Sequence, residues 1–164
     1  MGKIVYRHNI DPLMIEDAIK KHPGVLHVAA VGKPDAYAGE LPVAYVQRVA
    51  GSSATAQELA AFAQEHVPER AAVPKDIQLL DSMPLTDIGK PDKVALCLDA
   101  AKRAYAAALS AALGSPVSVE VGPDAVHGTR VTISASQPGC PADELERRVA
   151  AVMKAYPHHF VVAR

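Results

Sequence analysis

The sequence contains few cysteines and no excess charge of either sign. Its 164 residues include only two cysteines, Cys97 and Cys140. They lie far apart and outside any CxxC or Cys/His spacing. We therefore expect free thiols in a reducing compartment rather than a disulfide or a zinc site. Seventeen basic residues against eighteen acidic ones give a net charge of -1. Such a balance creates no overall field for nucleic acid or an anionic membrane, and we expect no nucleic-acid partner.

Long hydrophobic runs are also absent from the sequence. The apolar stretches are rich in alanine and interrupted by charge, and Met1-Gly2-Lys3 leads into no signal-peptide hydrophobic region. These features predict a soluble, cytoplasmic chain without a transmembrane segment. With 49% hydrophobic and 21% charged residues, it can bury one sizeable core or two small ones. The sequence shows neither an internal repeat nor a low-complexity segment.

Capping and turn signals place the elements of the first half. Asp11 as an N-cap and Pro12 in the first helical position predict a helix that ends near Lys21. A capping box of Thr55 and Glu58 starts a second helix. Three β-branched segments, at 25–31, 41–49 and 77–80, predict strands, with a loop over 32–40. This half is expected to be an α+β domain with a small three-stranded sheet and helices.

The second half is predicted to be a separate β-β-α-β subdomain. An alanine-rich helix is expected from about residue 91 to residue 113, ending at Gly114. Alternating apolar residues then predict a hairpin with its turn at 122–124, followed by an amphipathic helix starting near Pro141 and a strand over 159–162. We accordingly divide the chain into a first domain over 1–92, a connecting helix over 93–114 and an extension over 115–164.

One lysine stands out at the junction of the two halves. Residues 84–90 read Pro-Leu-Thr-Asp-Ile-Gly-Lys, a turn-forming loop that ends just before the long helix. The Lys90 ammonium, on a flexible stem, can reach a carboxylate or a phosphate as a point charge, and Gly89 would leave the approach to it open. A solvated lysine at the start of a helix is the alternative interpretation.

Several motifs occur in one order with this loop. They are residues 8–16, 22–25, 31–35, 39–46, 74–75 and 84–90. Together they resemble the small C-terminal domain of AMP-forming acyl-CoA synthetases, of the adenylate-forming superfamily, over about residues 4 to 98. The resemblance implies a two-step ligase. A carboxylic acid and ATP give an acyl adenylate and pyrophosphate, and the thiol of CoA then displaces AMP.

The resemblance also implies roles for individual residues. Lys90 would bridge the substrate carboxylate and the nucleotide in the adenylation step, with Thr86 and Gly89 supporting its loop. The domain would then rotate, so that another face assembles the site of thioester formation.

Four further residues are candidates on the CoA side. His8 and Asn9 match a loop that lines the pantetheine tunnel in the family, and Arg70 and Lys75 could meet CoA phosphates. For each of these four, a solvated surface position is the alternative. His158 and His159 are rejected as a metal pair because neighbouring strand residues point to opposite faces. We expect no metal on this chain.

Nothing in the sequence resembles the phosphate loop of the large ATP-binding domain. We therefore expect the chain to be a domain of a larger enzyme and to be inactive alone. Its partner would be the N-terminal domain of that enzyme, which would hold ATP with Mg²⁺. The substrates would be CoA and a carboxylic acid, broadly a fatty or medium-chain acid, and a homo-oligomer stays open. The alternative is a non-catalytic interaction or dimerisation module derived from the domain. A weaker alternative is regulation by a small ligand in the extension.

Overall fold

The computed structural model describes the backbone of residues 4–5 and 9–163 and the side chains of residues 9–163. The chain divides into two units. The first comprises the residues up to Lys33 together with Ala38–Cys97, and the second comprises Pro34–Tyr37 with the residues from Leu98 onward. Each unit combines helices with a three-stranded sheet, which confirms the predicted α+β class.

The first unit starts with two short paired strands and continues with helices around its sheet. Its elements are β1 (Ile4–Val5), β2 (Asn9–Ile10), α1 (Pro12–Lys20), β3 (Val25–Asp35), β4 (Gly39–Arg48), α2 (Ala56–His66), a 3₁₀ turn (Arg70–Ala72) and β5 (Asp76–Leu80).

The sheet of the first unit has the order β3-β4-β5. A three-residue turn joins β3 to β4, and the N–H of Val49 donates to the carbonyl of Gly24 at 3.0 Å, so the two strands form an antiparallel hairpin. β5 returns through α2 and lies parallel to β4, with Val43 opposite Asp76. Apolar side chains from α1, α2 and the sheet form one buried cluster, which includes Ile15, Ile19, Val28, Ala30, Ala44, Val46, Leu59 and Ile77.

Both helices of the first unit begin at the predicted caps. The Leu13 N–H donates to Asp11 Oδ1 at 3.0 Å, and Pro12 is the first helical residue. The Glu58 N–H donates to Thr55 Oγ1 at 3.1 Å, and the Thr55 N–H donates to Glu58 Oε2 at 2.8 Å. These bonds satisfy donors that the first turn of a helix leaves without a partner in the helix itself, so the capping predictions are confirmed.

The second unit contains a hairpin, a helix and a last strand. The elements are α3 (Lys93–Leu113), whose first residues belong to the first unit, β6 (Ser118–Asp124), β7 (Gly128–Ser134), α4 (Ala142–Met153) and β8 (His159–Ala163). β6 and β7 are antiparallel, and β8 is parallel to β7. The predicted β-β-α-β order is therefore confirmed.

The core of the second unit draws on α3 as well as on the sheet and α4. Its buried side chains are Ala101, Tyr105, Leu109, Leu113, Val117, Val119, Val131, Ile133, Leu145, Val149 and Met153. Residues 101–113 thus pack with the extension, whereas 93–97 belong to the first unit. The division at 1–92, 93–114 and 115–164 stays a prediction.

The two units repeat one order of elements: a helix, an antiparallel hairpin, a helix and a parallel strand. The hairpin turns also share the sequence Pro-Asp-Ala-x-x-Gly, at 34–39 and 123–128. In each turn the aspartate accepts a hydrogen bond from the N–H two residues on, at 3.0 and 3.1 Å. The closing Gly39 and Gly128 have φ values of 82° and 73°. The repeated order of elements could not be predicted from the sequence, because the common motif is six residues long and lies at one turn of each unit.

Two predicted turns are wrong in position. Residues 32–35 and 39–40 were expected in a loop but belong to β3 and β4, and 122–124 were expected in a turn but end β6. In both cases an early glycine suggested the turn, whereas the later positive-φ glycine makes it. Gly32 serves close packing instead, because a Cβ there would lie 2.5 Å from Glu40 Oε2.

Candidate functional site

The lysine loop is a small hairpin closed by backbone hydrogen bonds. The Thr86 N–H donates to the Lys90 carbonyl at 2.7 Å, and the Gly89 N–H donates to the Thr86 carbonyl at 2.8 Å. Leu85 pairs with Pro91 as an isolated antiparallel bridge below these bonds. The loop therefore has a defined shape and fixes the backbone from which the Lys90 side chain extends.

Thr86 and Gly89 hold this shape in different ways. The Thr86 Oγ1 accepts a hydrogen bond from the Lys90 N–H at 3.3 Å. Gly89 has a φ of 78°, and a Cβ built there would meet no atom within 4 Å. Gly89 is thus required by the left-handed backbone of the turn rather than by crowding from a described neighbour.

Lys90 itself is exposed, and within residues 9–163 no carboxylate forms an ion pair with its ammonium. The apolar side chains of Leu85 and Ile88 on the same loop are also exposed, the latter by 78%. A free cation carried on a closed loop with an apolar rim can dock against another surface and place its charge there.

The base of the loop is anchored to α3. The Asp92 N–H donates to the Pro84 carbonyl at 2.8 Å. Asp92 Oδ1 accepts hydrogen bonds from the N–H groups of Val94 and Ala95 at 3.0 and 3.2 Å, as an N-cap does. The helix consequently starts at Lys93, two residues after the approximate start expected from the sequence, because Pro91 is held in the bridge of the loop.

Lys93, the residue after Asp92, forms an ion pair with Glu16. Lys93 Nζ lies 2.6 Å from Glu16 Oε1 on α1, and the two side chains are 28% and 14% exposed. The same Glu16 oxygen accepts a hydrogen bond from the Ala30 N–H of β3 at 2.8 Å. Glu16 and Lys93 were not predicted as functional residues. Their contact joins positions 77 residues apart in the sequence, and no local pattern reports such a pairing.

Arg70 and Lys75 line one open cleft of about 500 Å³. Gln64, Val67, Pro68 and Val73 complete the lining. Both cationic residues are exposed, and Lys75 is held by its N–H, which donates to the Pro42 carbonyl at 2.8 Å. Both residues thus contribute to the lining of one cleft, and two cations on one cleft are suited to binding an anion with several oxygens.

The remaining predicted residues are not joined to these two groups by any described contact. Asn9 is exposed in β2, where it pairs with Val5. His8 lies outside the described residues. His158 and His159 do not act together: His158 Nδ1 shares a hydrogen bond with the Tyr105 hydroxyl, whereas the His159 ring stacks on His127 with centroids 4.0 Å apart.

Cys97 lies on α3 one turn after Lys93. Burial raises the pKa of its thiol, the Glu40 carboxylate raises that pKa further, and the Lys93 ammonium lowers it. Cys97 and Cys140 are both free thiols. In the described part of the chain, no three His, Cys, Asp or Glu side chains form a group that could hold a metal ion.

Comparison with known proteins identifies relatives of the first unit. The model of the family described as "AMP-binding enzyme C-terminal domain" matches residues 14–90. Marinolic acid–CoA ligase from Pseudoalteromonas sp. (strain SANK 73390) is 49% identical over 89 residues, which cover 54% of this chain and 14% of that protein. Medium/long-chain-fatty-acid–CoA ligase FadD8 from Mycobacterium tuberculosis is 36% identical over 94 residues, with coverages of 54% and 16%.

Solved structures of two synthetases are also similar to this chain. An acyl-CoA synthetase from Brucella canis superposes with a TM-score of 0.55 and 30% identity, over 60% of this chain and 19% of that one. An amide bond synthetase from Marinactinospora thermotolerans gives 0.53 and 31%, over 58% and 19%. This chain therefore spans less than one fifth of the length of each of these four relatives.

Among the described residues, no helix is long and apolar enough to cross a bilayer.

Proposed function

Since this chain contains, over residues 14–90, the C-terminal domain of AMP-forming acyl-CoA synthetases, we propose that Lys90 supplies the cation for adenylating a carboxylic acid. The domain would act with a separate ATP-binding domain, which holds the nucleotide with Mg²⁺. The relatives are named as ligases of marinolic acid and of medium- and long-chain fatty acids. A fatty or medium-chain acid is accordingly the substrate class that we propose.

The geometry of the loop is the observation that carries this proposal. Thr86, Gly89 and the Leu85–Pro91 bridge fix the backbone on both sides of Lys90. Within residues 9–163 its ammonium forms no ion pair. A positioned but uncompensated cation is suited to stabilising negative charge that is brought to it, because its own neighbours do not already neutralise it.

In the first half-reaction, an oxygen of the substrate carboxylate attacks the α-phosphorus of ATP, and pyrophosphate leaves. Negative charge is then shared between the attacking carboxylate and the phosphoryl oxygens. The Lys90 ammonium would lie between these groups, reduce their repulsion and orient the carboxylate for attack. The apolar rim formed by Leu85 and Ile88 would help exclude water from the region around the lysine.

In the second half-reaction, the sulfur of CoA bonds to the acyl carbon, and the bond from that carbon to AMP breaks. We propose that the domain rotates between the two steps, so that Lys90 leaves and the CoA-side residues approach. Arg70 and Lys75 would bind phosphate groups of CoA in their shared cleft. His8 and Asn9 would lie along the pantetheine chain.

The test is Lys90→Ala in the enzyme that pairs this domain with its ATP-binding domain. The loss of the cation should slow adenylation about a hundredfold or more, which is typical when one preorganised charge is removed from a transition state. The assay compares thioester formation from acid, ATP and CoA with thioester formation from preformed acyl adenylate and CoA. The second reaction should be nearly unchanged, because Lys90 acts only in the first.

Two controls accompany this variant. Lys154→Ala removes an exposed lysine at the end of α4 and should leave both reactions at the wild-type rate. The isolated 164-residue chain should show no ATP–pyrophosphate exchange. Exchange by that chain alone, or equal slowing of both half-reactions by Lys90→Ala, would contradict the proposal.

A further inference from the structure

Lys93 is the first residue of α3, three residues after Lys90. Its Nζ is shielded from solvent, and none of the described residues accepts a well-directed hydrogen bond from it. Its contact with Glu16 Oε1 has the distance of an ion pair, 2.6 Å. The contact is therefore chiefly electrostatic, and the shielding from water strengthens it.

Glu16 connects this cation to the scaffold of the first unit. The carboxylate belongs to α1, which contributes Ile15, Ala18 and Ile19 to the core on either side of it. Its Oε1 also accepts from the Ala30 N–H, and Ala30 is buried in β3. One carboxylate oxygen thus joins a helix, a strand and the start of α3.

The connection continues from Lys93 to Lys90 through two residues. Asp92 caps α3 and donates its N–H to the Pro84 carbonyl at 2.8 Å, which closes the base of the loop. Pro91 forms the bridge to Leu85. Among the described residues, no other hydrogen bond or ion pair joins the loop to α1 or β3, so a shift of Lys93 would move the base of the loop.

Two ion pairs within single helices differ from this one. Arg147 and Glu144 on α4 are 75% and 45% exposed, and Arg103 and Asp99 on α3 are 53% and 37% exposed. Exposed pairs of this type contribute little, because water and salt screen both charges. A shielded pair that joins three elements is better suited to holding them in one arrangement.

We propose that the Glu16–Lys93 ion pair positions the lysine loop, so that Lys90 is presented in the orientation that adenylation requires. The inference rests on the proposed function of Lys90. Lys93 is a positioning residue here, since its ammonium is buried against Glu16 and acts on the reaction only through the loop.

Hydrogen–deuterium exchange of this chain tests the structural part. Glu16→Gln removes the charge while its amide oxygen can still accept from Ala30. The amides of Thr86, Gly89 and Asp92 should exchange about tenfold faster, because opening of the loop base becomes easier. The amides of β4 and β5 should keep their protection. Arg147→Met, which breaks an exposed pair, is the matched control and should leave loop exchange unchanged.

The two half-reactions of the paired enzyme test the functional part. Glu16→Gln and Lys93→Met should each slow adenylation. The slowing should reach about a hundredfold if the Lys90 ammonium moves by about one ångström from its productive position. Lys93→Arg keeps the charge and should restore most of the rate. Thioester formation from preformed acyl adenylate should change little in all three variants.

The outcomes separate the two proposals. If Lys90→Ala slows adenylation but Glu16→Gln slows neither half-reaction, the positioning role is wrong and the role of Lys90 stands. Equal slowing of both half-reactions by Glu16→Gln, or faster exchange throughout the first unit, would assign the pair to general stability and overturn the inference. If Lys90→Ala has no effect, the proposed function fails, and the positioning role for adenylation fails with it.

Discussion

At the scale of single residues, the backbone of Gly89 determines how Lys90 is presented. Its φ of 78° lies in the left-handed region, where most side chains are strained. Space is not restricted, since a Cβ would meet nothing within 4 Å. Two explanations of this glycine can therefore be separated: the turn requires a positive φ, or an incoming substrate requires an open approach to Lys90.

Replacement of Gly89 by alanine and by asparagine distinguishes the two. If the turn sets the requirement, Gly89→Ala should lower the free energy of unfolding by about 1 kcal/mol, and Gly89→Asn by less, since asparagine tolerates this conformation better. Urea denaturation of the chain measures both, and adenylation rates should follow the same order. If Gly89→Asn is the slower enzyme although it is the more stable protein, the open approach is what matters.

At the scale of elements, the last residue of β6, Asp124, carries a carboxylate with several partners in the turn that follows. The pKa of Asp124 is lowered, chiefly by the hydrogen bond from the His127 N–H, opposed by a smaller desolvation effect. The Val126 N–H, the His127 side chain and the Arg130 charge lower it further. The ionised aspartate is thus the form that holds this turn.

The pH dependence of stability follows from this direction. Because the pKa of Asp124 is lower in the folded chain than its ordinary value of 3.8, its contribution is present above that value and is lost as the pH falls through the lowered pKa. Asp124→Asn should therefore destabilise the second unit at pH 7 and have progressively less effect below about pH 4. Urea denaturation across this range gives the profile.

Arg130→Gln is the matched control for this prediction. It removes the last and smallest of the favourable contributions and keeps the backbone N–H donors. An NMR titration of the Asp124 carboxyl should therefore find most of the lowering still present in that variant. If Arg130→Gln abolishes the lowering, the arginine and not the turn sets the pKa, and our account of the hairpin is wrong.

Elements set by local signals could be predicted, and those set by tertiary contacts could not. Asp11, Thr55 and Glu58 bond to backbone within three residues, so their caps could be read from spacing alone. The exact start of α3 could not be predicted, since the competing bridge between Pro91 and Leu85 depends on how the loop closes. The Glu16–Lys93 pair depends on the packing of three distant segments.

The site shows the same limit. Lys90 could be singled out because a loop motif surrounds it in sequence, whereas the sequence offers Arg70 and Lys75 only as loop cations that could meet CoA phosphates. The geometry that holds the loop could not, since it requires Glu16 to accept from Ala30 and to face Lys93. The stacking of His127 on His159 was also missed, because the rings come from the hairpin turn and β8.

At the scale of the whole chain, the division within α3 gives a prediction about folding. Tyr105, Leu109 and Leu113 are buried in the core of the second unit, whereas the α3 residues up to Cys97 belong to the first. A chain that ends at Leu113 keeps the apolar face of α3 without the sheet and α4 that cover it. A chain that ends at Cys97 removes that face.

We therefore expect the chain ending at Cys97 to unfold cooperatively and to be less prone to aggregation than the chain ending at Leu113. In the longer one, residues 101–113 lose their core partners, and a solvated alanine-rich segment of that length has little helical stability of its own. Thermal unfolding followed by circular dichroism, with light scattering on the same samples, compares the two. Hydrogen exchange should find 101–113 unprotected in the longer chain, while β4 and β5 stay protected in both. Loss of cooperative unfolding in the chain ending at Cys97 would mean that the two units depend on one common core. Protection of 101–113 without the extension would instead support a connecting helix that is stable by itself, with the boundary near residue 114.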